Sequence, residues 1–164
     1  MTETHVPANS LDAVAVAIQQ SSNQCFGCSA SNPQGLHLTF SLDSADPNRI
    51  TSTSIVNLTR LHEGPPGYIH GGIIATLLDE AMGKLNLPLG VIAMTRHMEV
   101  DYLRPSPLHT SLTLVGTHVR RDGRKLYHRA ELMHPDGTVL ARANGLFLVI
   151  DPPLFRTAMA KMNQ

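Results

Sequence analysis

The strongest pattern in the chain is a hydrophobic stripe. Ile73, Ile74, Leu77, Leu78, Ala81, Met82 and Leu85 recur at steps of three and four, the spacing of one face of an α-helix. At about 100° per residue the stripe covers about half of the circumference. Asn86-Leu87-Pro88 ends it, because proline cannot continue the hydrogen-bond ladder. Beyond the helix the period changes. Segments near 91–103, 108–120, 124–134 and 138–150 are rich in Val, Leu, Thr and Tyr and read as strands. Their connectors are Arg104-Pro105-Ser106-Pro107, Asp122-Gly123 and Pro135-Asp136-Gly137. Asp-Gly between such runs signals a two-residue hairpin. Four consecutive strands on short turns are expected to form an antiparallel meander.

Upstream, Leu36, Leu38, Phe40 and Leu42 alternate with polar residues, and 49–58 suggests a second strand. Glu63-Gly64-Pro65-Pro66-Gly67 is a loop, and Asn32-Pro33-Gln34-Gly35 suits a type I turn. Asn9 or Ser10 is placed to cap a short helix carrying Leu11, Val14, Ala15 and Ile18. A half-apolar helix needs a face to lie against, and the sheet supplies one. The expected architecture is α+β: a curved antiparallel sheet wrapped around one long central helix. It divides into an N-terminal tail, short helix and Cys-containing loop (1–35), the sheet-and-helix domain (36–151) and a C-terminal tail (152–164).

Composition narrows the function. Apolar residues make up 42% and charged residues 16%, with no Trp, so the core rests on aliphatic packing. Lys plus Arg equals Asp plus Glu at 13 each. That balance lacks the positive field a nucleic-acid binder needs. No run is long enough to cross a bilayer as a helix, and no targeting segment is expected from the first twenty residues. Two cysteines make no disulfide framework. The expected setting is the reducing cytoplasm, away from membranes.

The chemistry concentrates at the start of the helix. Tyr68-Ile69-His70-Gly71-Gly72 leads into it, and Asp79-Glu80 sits at its middle. A helix start carries unpaired N–H groups and the positive end of the dipole. Gly71 and Gly72 allow a ligand carbonyl to approach that backbone, which makes an oxyanion hole. Asp79 falls opposite the apolar stripe, beside the small residues Ala75, Thr76 and Gly83. Eight residues separate Gly71 from Asp79, or about 12 Å along one helix. A single reacting carbonyl needs both groups within about 3 Å. Two antiparallel helices across a symmetric dimer meet that requirement, and one helix does not.

The ordered run His70-Gly71-Gly72-Ile73-Ile74-Ala75-Thr76-Leu77-Leu78-Asp79, followed by Met94-Thr95, Tyr102-Leu103-Arg104-Pro105 and Gly123-Arg124-Lys125, resembles the signature of hotdog-fold acyl-CoA thioesterases of the phenylacetate-pathway and human thioesterase-superfamily type. The resemblance covers roughly 25–150. It implies hydrolysis of an acyl-CoA to carboxylate and free CoA by a homodimer or homotetramer. Gly71 N–H would polarise the thioester carbonyl, with His70 orienting it. Asp79 would be nucleophile or general base, and Thr95 would position the water or the carboxylate. No metal or cofactor beyond the CoA of the substrate is implied. Glu80 points about 100° away from Asp79 and is the weaker carboxylate.

Several bland readings stand beside these. Arg120, Arg121, Arg124 and Lys125 flank the hairpin tip; they either guard a strand edge or, with Arg104 and Gly72, hold CoA. Thr95, His97, Glu99 and Asp101 alternate and are expected on one strand face, where His97 and Glu99 offer a rival site. Cys25-Phe26-Gly27-Cys28 provides two of the four ligands of a structural zinc site, with His37 the nearest extra candidate. Reduced thiols in a tight loop are the expected reading. The alternative functions are a non-catalytic acyl-CoA sensor and an enoyl-CoA hydratase of the same fold.

Overall fold

The computed structural model describes residues 24–150 together with Pro153. The expected N-terminal helix and, apart from Pro153, the C-terminal tail lie outside the described residues. Those described separate at His37/Leu38 into two compact units.

In the first unit, Gly35 N–H donates to Asn32 O (3.0 Å) and Gln34 N–H to Asn32 Oδ1 (3.0 Å). This is the expected turn, reinforced by the asparagine side chain. Leu36 N–H closes back on Phe26 O at 2.7 Å.

Among its described residues the second unit holds six strands and one long helix. They are β1 (Ser41–Asp43), β2 (Thr51–Val56), α1 (Gly71–Lys84), β3 (Ala93–Tyr102), β4 (Leu112–Asp122), β5 (Lys125–Met133) and β6 (Val139–Val149), with a 3₁₀ turn at Arg60–His62. All pairings are antiparallel, in the order β1-β2-β4-β5-β6-β3. The helix and the sheet are the expected pair of layers.

Two expectations need correction. The alternation across 36–42 yields only the three exposed residues of β1. His37 has φ 52°, outside the extended region, and breaks the run before it starts. The four last strands are also not a simple meander. β4, β5 and β6 are, but β3 pairs with β6 and not with β4. The reason lies in the 103–111 connection. Its two prolines hold it extended. Arg104 N–H bonds to Leu140 O, Ser106 O accepts from Ile69 N–H, and His109 N–H reaches Leu58 O. The segment therefore crosses the end of the sheet from the β3 edge to the β2 side.

The predicted stripe of α1 is what the sheet buries. Leu77, Leu78, Ala81, Met82 and Leu85 are fully buried against Leu112, Leu114, Leu126, Leu132 and Phe147. Two glycines let the helix lie close. A Cβ on Gly116 would sit 2.5 Å from Ala81 O, and one on Gly145 would sit 2.8 Å from Met82 Sδ. Ser52 Oγ donates to the same Ala81 carbonyl at 2.6 Å. Among the described residues no helix is long and apolar enough to cross a membrane.

Candidate active site

The helix start is held rigidly. Ile69 N–H bonds to Ser106 O and His70 N–H to His62 O, both at 2.9 Å. The loop before it is pinned by Gly67 N–H to Glu63 Oε1 (2.7 Å) and by a bridge between Glu63 and Ile69.

The donors of the first turn can be counted one by one. His70 is the N-cap in an extended conformation, and its Nδ1 accepts from Gly72 N–H at 3.0 Å. Nδ1 is therefore the unprotonated ring nitrogen. Ile73 N–H turns back to His70 O at 3.0 Å, and Ile74 N–H follows at 3.1 Å. Gly71 N–H is the donor of this turn left without an acceptor among the described residues. Gly72, expected as a second ligand donor, is already engaged by His70. The histidine's task is to cap this exposed turn.

Asp79 lies two turns on. Thr95 Oγ1 donates to its Oδ1 at 2.7 Å. Partial burial pushes the Asp79 carboxyl above the usual carboxylate range; the Thr95 hydrogen bond works against this and the neighbouring Glu80 charge adds to it. Glu80 itself bonds Lys84 Nζ at 3.2 Å, an i,i+4 pair.

Thr95 reaches Asp79 because of a bulge. Thr95 pairs with Phe147 and His97 with Leu146, so Arg96 is an extra residue in β3. Residues directly opposite share a sheet face. Ala141, Ala143 and Phe147 of β6 are buried under the helix, while Arg142 and Asn144 are exposed. Thr95 and Tyr102 therefore face α1, and His97, Glu99 and Asp101 face the opposite side, where Arg142 Nε bonds Asp101 Oδ2 at 2.9 Å. The expectation that Thr95 shares a face with these three is wrong, and the rival His97–Glu99 site sits across the sheet from Asp79.

The basic residues do not converge within one chain. Arg104 Nη1 donates to Val139 O (3.0 Å), at the first residue of β6. Arg124 Nε and Nη2 both donate to Val149 O, at its last residue. Ten residues of strand separate these anchors, roughly 30 Å. Arg121 Nε bonds Gly123 O, and the Arg120 guanidinium stacks 3.5 Å from the Tyr127 ring centroid. Lys125 is exposed and opens β5 opposite Asp122. The hairpin loop is thus Gly123-Arg124, with Gly123 at φ 55°, the left-handed conformation that type II′ turns need first. Arg104 also lines an open groove of about 450 Å³ with Tyr68, His134 and Asp136.

Cys25 and Cys28 stand 3.2 Å apart, sulfur to sulfur, and neither is in a disulfide. His37 Nε2 meets Asn32 O at 2.5 Å.

Two features were not anticipated. Tyr102 Oη donates to Gly71 O at 3.1 Å. At the far end of α1, His118 Nδ1 and His128 Nδ1 are 3.1 Å apart, and His128 Nε2 meets the buried Asn86 Oδ1 at 3.2 Å. An Nε2–H donated to Asn86 makes His128 Nδ1 an acceptor and His118 Nδ1–H its donor. Burial, then the adjacent His118, lowers His128 to about 4; burial and the Arg121 charge lower His118.

Residues 66–141 match the family model described as the thioesterase superfamily. Acyl-coenzyme A thioesterase THEM4 of Rattus norvegicus is 35% identical over 92 residues, covering 55% of this chain and 39% of that protein. A solved thioesterase superfamily protein is 35% identical with a TM-score of 0.62, covering 71% of this chain and 58% of that one. The structure of smu.793 from Streptococcus mutans, bound to acetyl CoA, shares the fold at 20% identity and TM-score 0.61, over 74% of this chain and 97% of that one. The chain thus spans about two fifths of the length of the curated relative. Sequence over 66–141 and a six-stranded sheet around one helix agree: this chain is similar to the thioesterase superfamily and has the hotdog fold.

Proposed function

We propose that the protein hydrolyses acyl-CoA thioesters to a carboxylic acid and free CoA, in sites shared between two copies of the chain. The observation that carries this reading is the division of labour along α1. One free N–H stands at its start, at Gly71, and one desolvated carboxylate held by a hydroxyl stands two turns on, at Asp79.

β3 supports the dimer. It is ten residues long and is an end strand of the sheet. Such an edge is a template for another strand. Antiparallel pairing of two β3 edges sets the partner subunit's Gly71 beside Asp79. It also brings the partner subunit's Arg104 to the end of the sheet that holds Arg124 and Lys125, so CoA phosphates meet both groups only in the dimer. A homotetramer would add contact between sheet backs or between helices.

In this site the Asp79 carboxylate takes a proton from water as the water oxygen attacks the thioester carbonyl carbon. Negative charge moves to the carbonyl oxygen, where Gly71 N–H receives it. Collapse re-forms the carbonyl and breaks the C–S bond. The thiolate takes the proton held by Asp79 and leaves as CoA. In the nucleophilic variant, Asp79 itself attacks and water then hydrolyses the resulting anhydride. A thioester is activated enough for one carboxylate and one oxyanion donor to suffice. The hydratase alternative would ask His70 for proton transfer, which its cap bond at Nδ1 leaves to Nε2 alone; hydration of an enoyl-CoA would favour it.

The test is thiol release across short, long and aromatic acyl-CoAs, with Asp79→Asn as control. Release by the wild type and its loss in a still-dimeric Asp79→Asn is the expected result. Wild-type turnover by that variant overturns the reading. Tight acyl-CoA binding without turnover would favour a sensor. Label in Asp79 after a single turnover in ¹⁸O water identifies the nucleophilic role, because a general base never forms a bond to the water oxygen.

A further inference from the structure

Tyr102 has no part in the mechanism above, yet it touches the residue on which that mechanism depends. It is the last residue of β3 and faces the helix, opposite Ala141. Its hydroxyl donates to Gly71 O at 3.1 Å. Its ring lies against the same glycine: a Cβ built there would meet Cε1 at 3.6 Å and Cζ at 3.7 Å. The ring is nonetheless 55% exposed, so it stands at the mouth of the site and not in the core.

The first turn of a helix is where fraying begins, because its donors lack intrahelical partners. At this start the cap fixes Gly72 through His70, and His62 O fixes His70 N–H. Gly71 sits between these restraints, with no side chain of its own and its N–H unengaged. The group that grips it from outside the helix is the Tyr102 phenol. A carbonyl held at one end of a residue limits the tilt of the amide at the other.

We propose that Tyr102 is a positioning residue for the oxyanion donor: its hydroxyl fastens the Gly71 carbonyl so that the Gly71 N–H keeps its aim at the developing negative charge. This inference rests on the thioesterase reading of the site. The residue acts through Gly71 and touches no reacting atom, so its loss appears in the chemical step and not in substrate binding. Tyr102→Phe removes one hydroxyl and keeps the ring, the strand and the packing against Gly71.

The experiment measures kcat and KM of Tyr102→Phe with the best acyl-CoA substrate, beside wild type and Asp79→Asn, with melting temperature and oligomeric state recorded for each. The expected result is a fall in kcat of about tenfold, the scale of one hydrogen bond, with KM within about twofold. ¹⁵N-glycine labelling should show the Gly71 and Gly72 amide resonances displaced while other glycines stay put. Wild-type kcat in Tyr102→Phe, with Asp79→Asn inactive, overturns the role of Tyr102 and leaves the thioesterase reading intact. Parallel losses of kcat and melting temperature, with resonances moving across the whole domain, reduce Tyr102 to a structural residue and also overturn it. Absence of thiol release from every acyl-CoA by the wild type removes the reading and this inference together.

Discussion

At its start α1 meets solvent through His70, Gly71 and an exposed tyrosine; at its end it meets Asn86, His128 and Phe147, all buried. Both ends carry a histidine that accepts at Nδ1, and the two histidines do opposite things. His70 consumes one backbone donor and leaves its neighbour free. His128 joins a closed chain from His118 to Asn86, with its ring 5.1 Å from the Phe147 ring, centroid to centroid. One end ties its buried histidine into a hydrogen-bonded chain beside the docked helix. The other leaves one backbone donor unsatisfied in the place where a substrate can use it. Asp79 lies between them and shares both characters, being desolvated yet hydrogen-bonded.

The largest expected effect falls on the open side. Asp79→Asn should lower kcat by about 10³-fold or more, roughly 4 kcal/mol of barrier. The shape of the side chain and its contact with Thr95 are kept, so the fold should hold. Thiol-release kinetics with a matching circular-dichroism melt check both halves.

On the docked side the sharpest break is Gly116→Ala. Its Cβ would fall 2.5 Å from Ala81 O and 2.5 Å from Ser52 Oγ. A backbone carbonyl cannot step aside, so helix and sheet must part. A loss of about 3 kcal/mol is expected, or about 6–12 °C in melting temperature at about 2–4 °C per kcal/mol. If the melt is unchanged, the two layers are not locked at this contact.

The buried histidine sets an acid limit on the same side. His128 is held at about 4 against an ordinary 6.5. Between those values the unfolded chain binds more protons than the folded one, so stability is full above about pH 6.5 and declines as pH falls toward 4. The loss approaches about 3 kcal/mol for this one buried group. His128→Gln should flatten that decline in pH-dependent denaturation while leaving thiol release at neutral pH within about twofold.

How much of this was legible in the sequence turns on two bulges. The helix, the position of its stripe and the pairing of Gly71 with a carboxylate two turns on follow from periodicity and from helix geometry. The faces of β3 do not. Strict alternation puts Thr95 with His97, Glu99 and Asp101, and one extra residue at Arg96 moves it under the helix. Val119 does the same in β4. The hairpin pairs Asp122 with Lys125 and Arg120 with Tyr127, a register that would carry on to His118 opposite Arg129. The bulge at Val119 shifts it so that His118 meets His128. A bulge leaves no mark in hydrophobic period, so both polar contacts that depend on one were hidden. The place of β3 in the sheet was hidden for another reason: short proline-rich spacing resembles a turn, but its hydrogen bonds run across the end of the sheet.

Thr95→Ala gives the smallest of these effects and tests where the bulge matters. The hydroxyl donates to the ionised Asp79 and so opposes the upward push of burial. Without it the carboxyl should rise further. As the proposed base or nucleophile Asp79 would act only when ionised, so activity is expected to be full above its pKa and to fall as pH drops through it. The acid limb of the rate–pH profile should lie above that of an ordinary aspartate, at 3.8, in the wild type, and higher again in Thr95→Ala. The plateau at alkaline pH should fall by about tenfold, the scale of one hydrogen bond to a charged group. Thr95→Ser keeps the hydroxyl and should restore both limb and plateau. Deleting Arg96 moves the remaining strand into plain alternation and turns Thr95 away from the helix; it should reproduce the acid limb of Thr95→Ala although the threonine is still present. An unmoved limb in that deletion, beside a raised one in Thr95→Ala, would mean that the hydroxyl reaches Asp79 without the bulge.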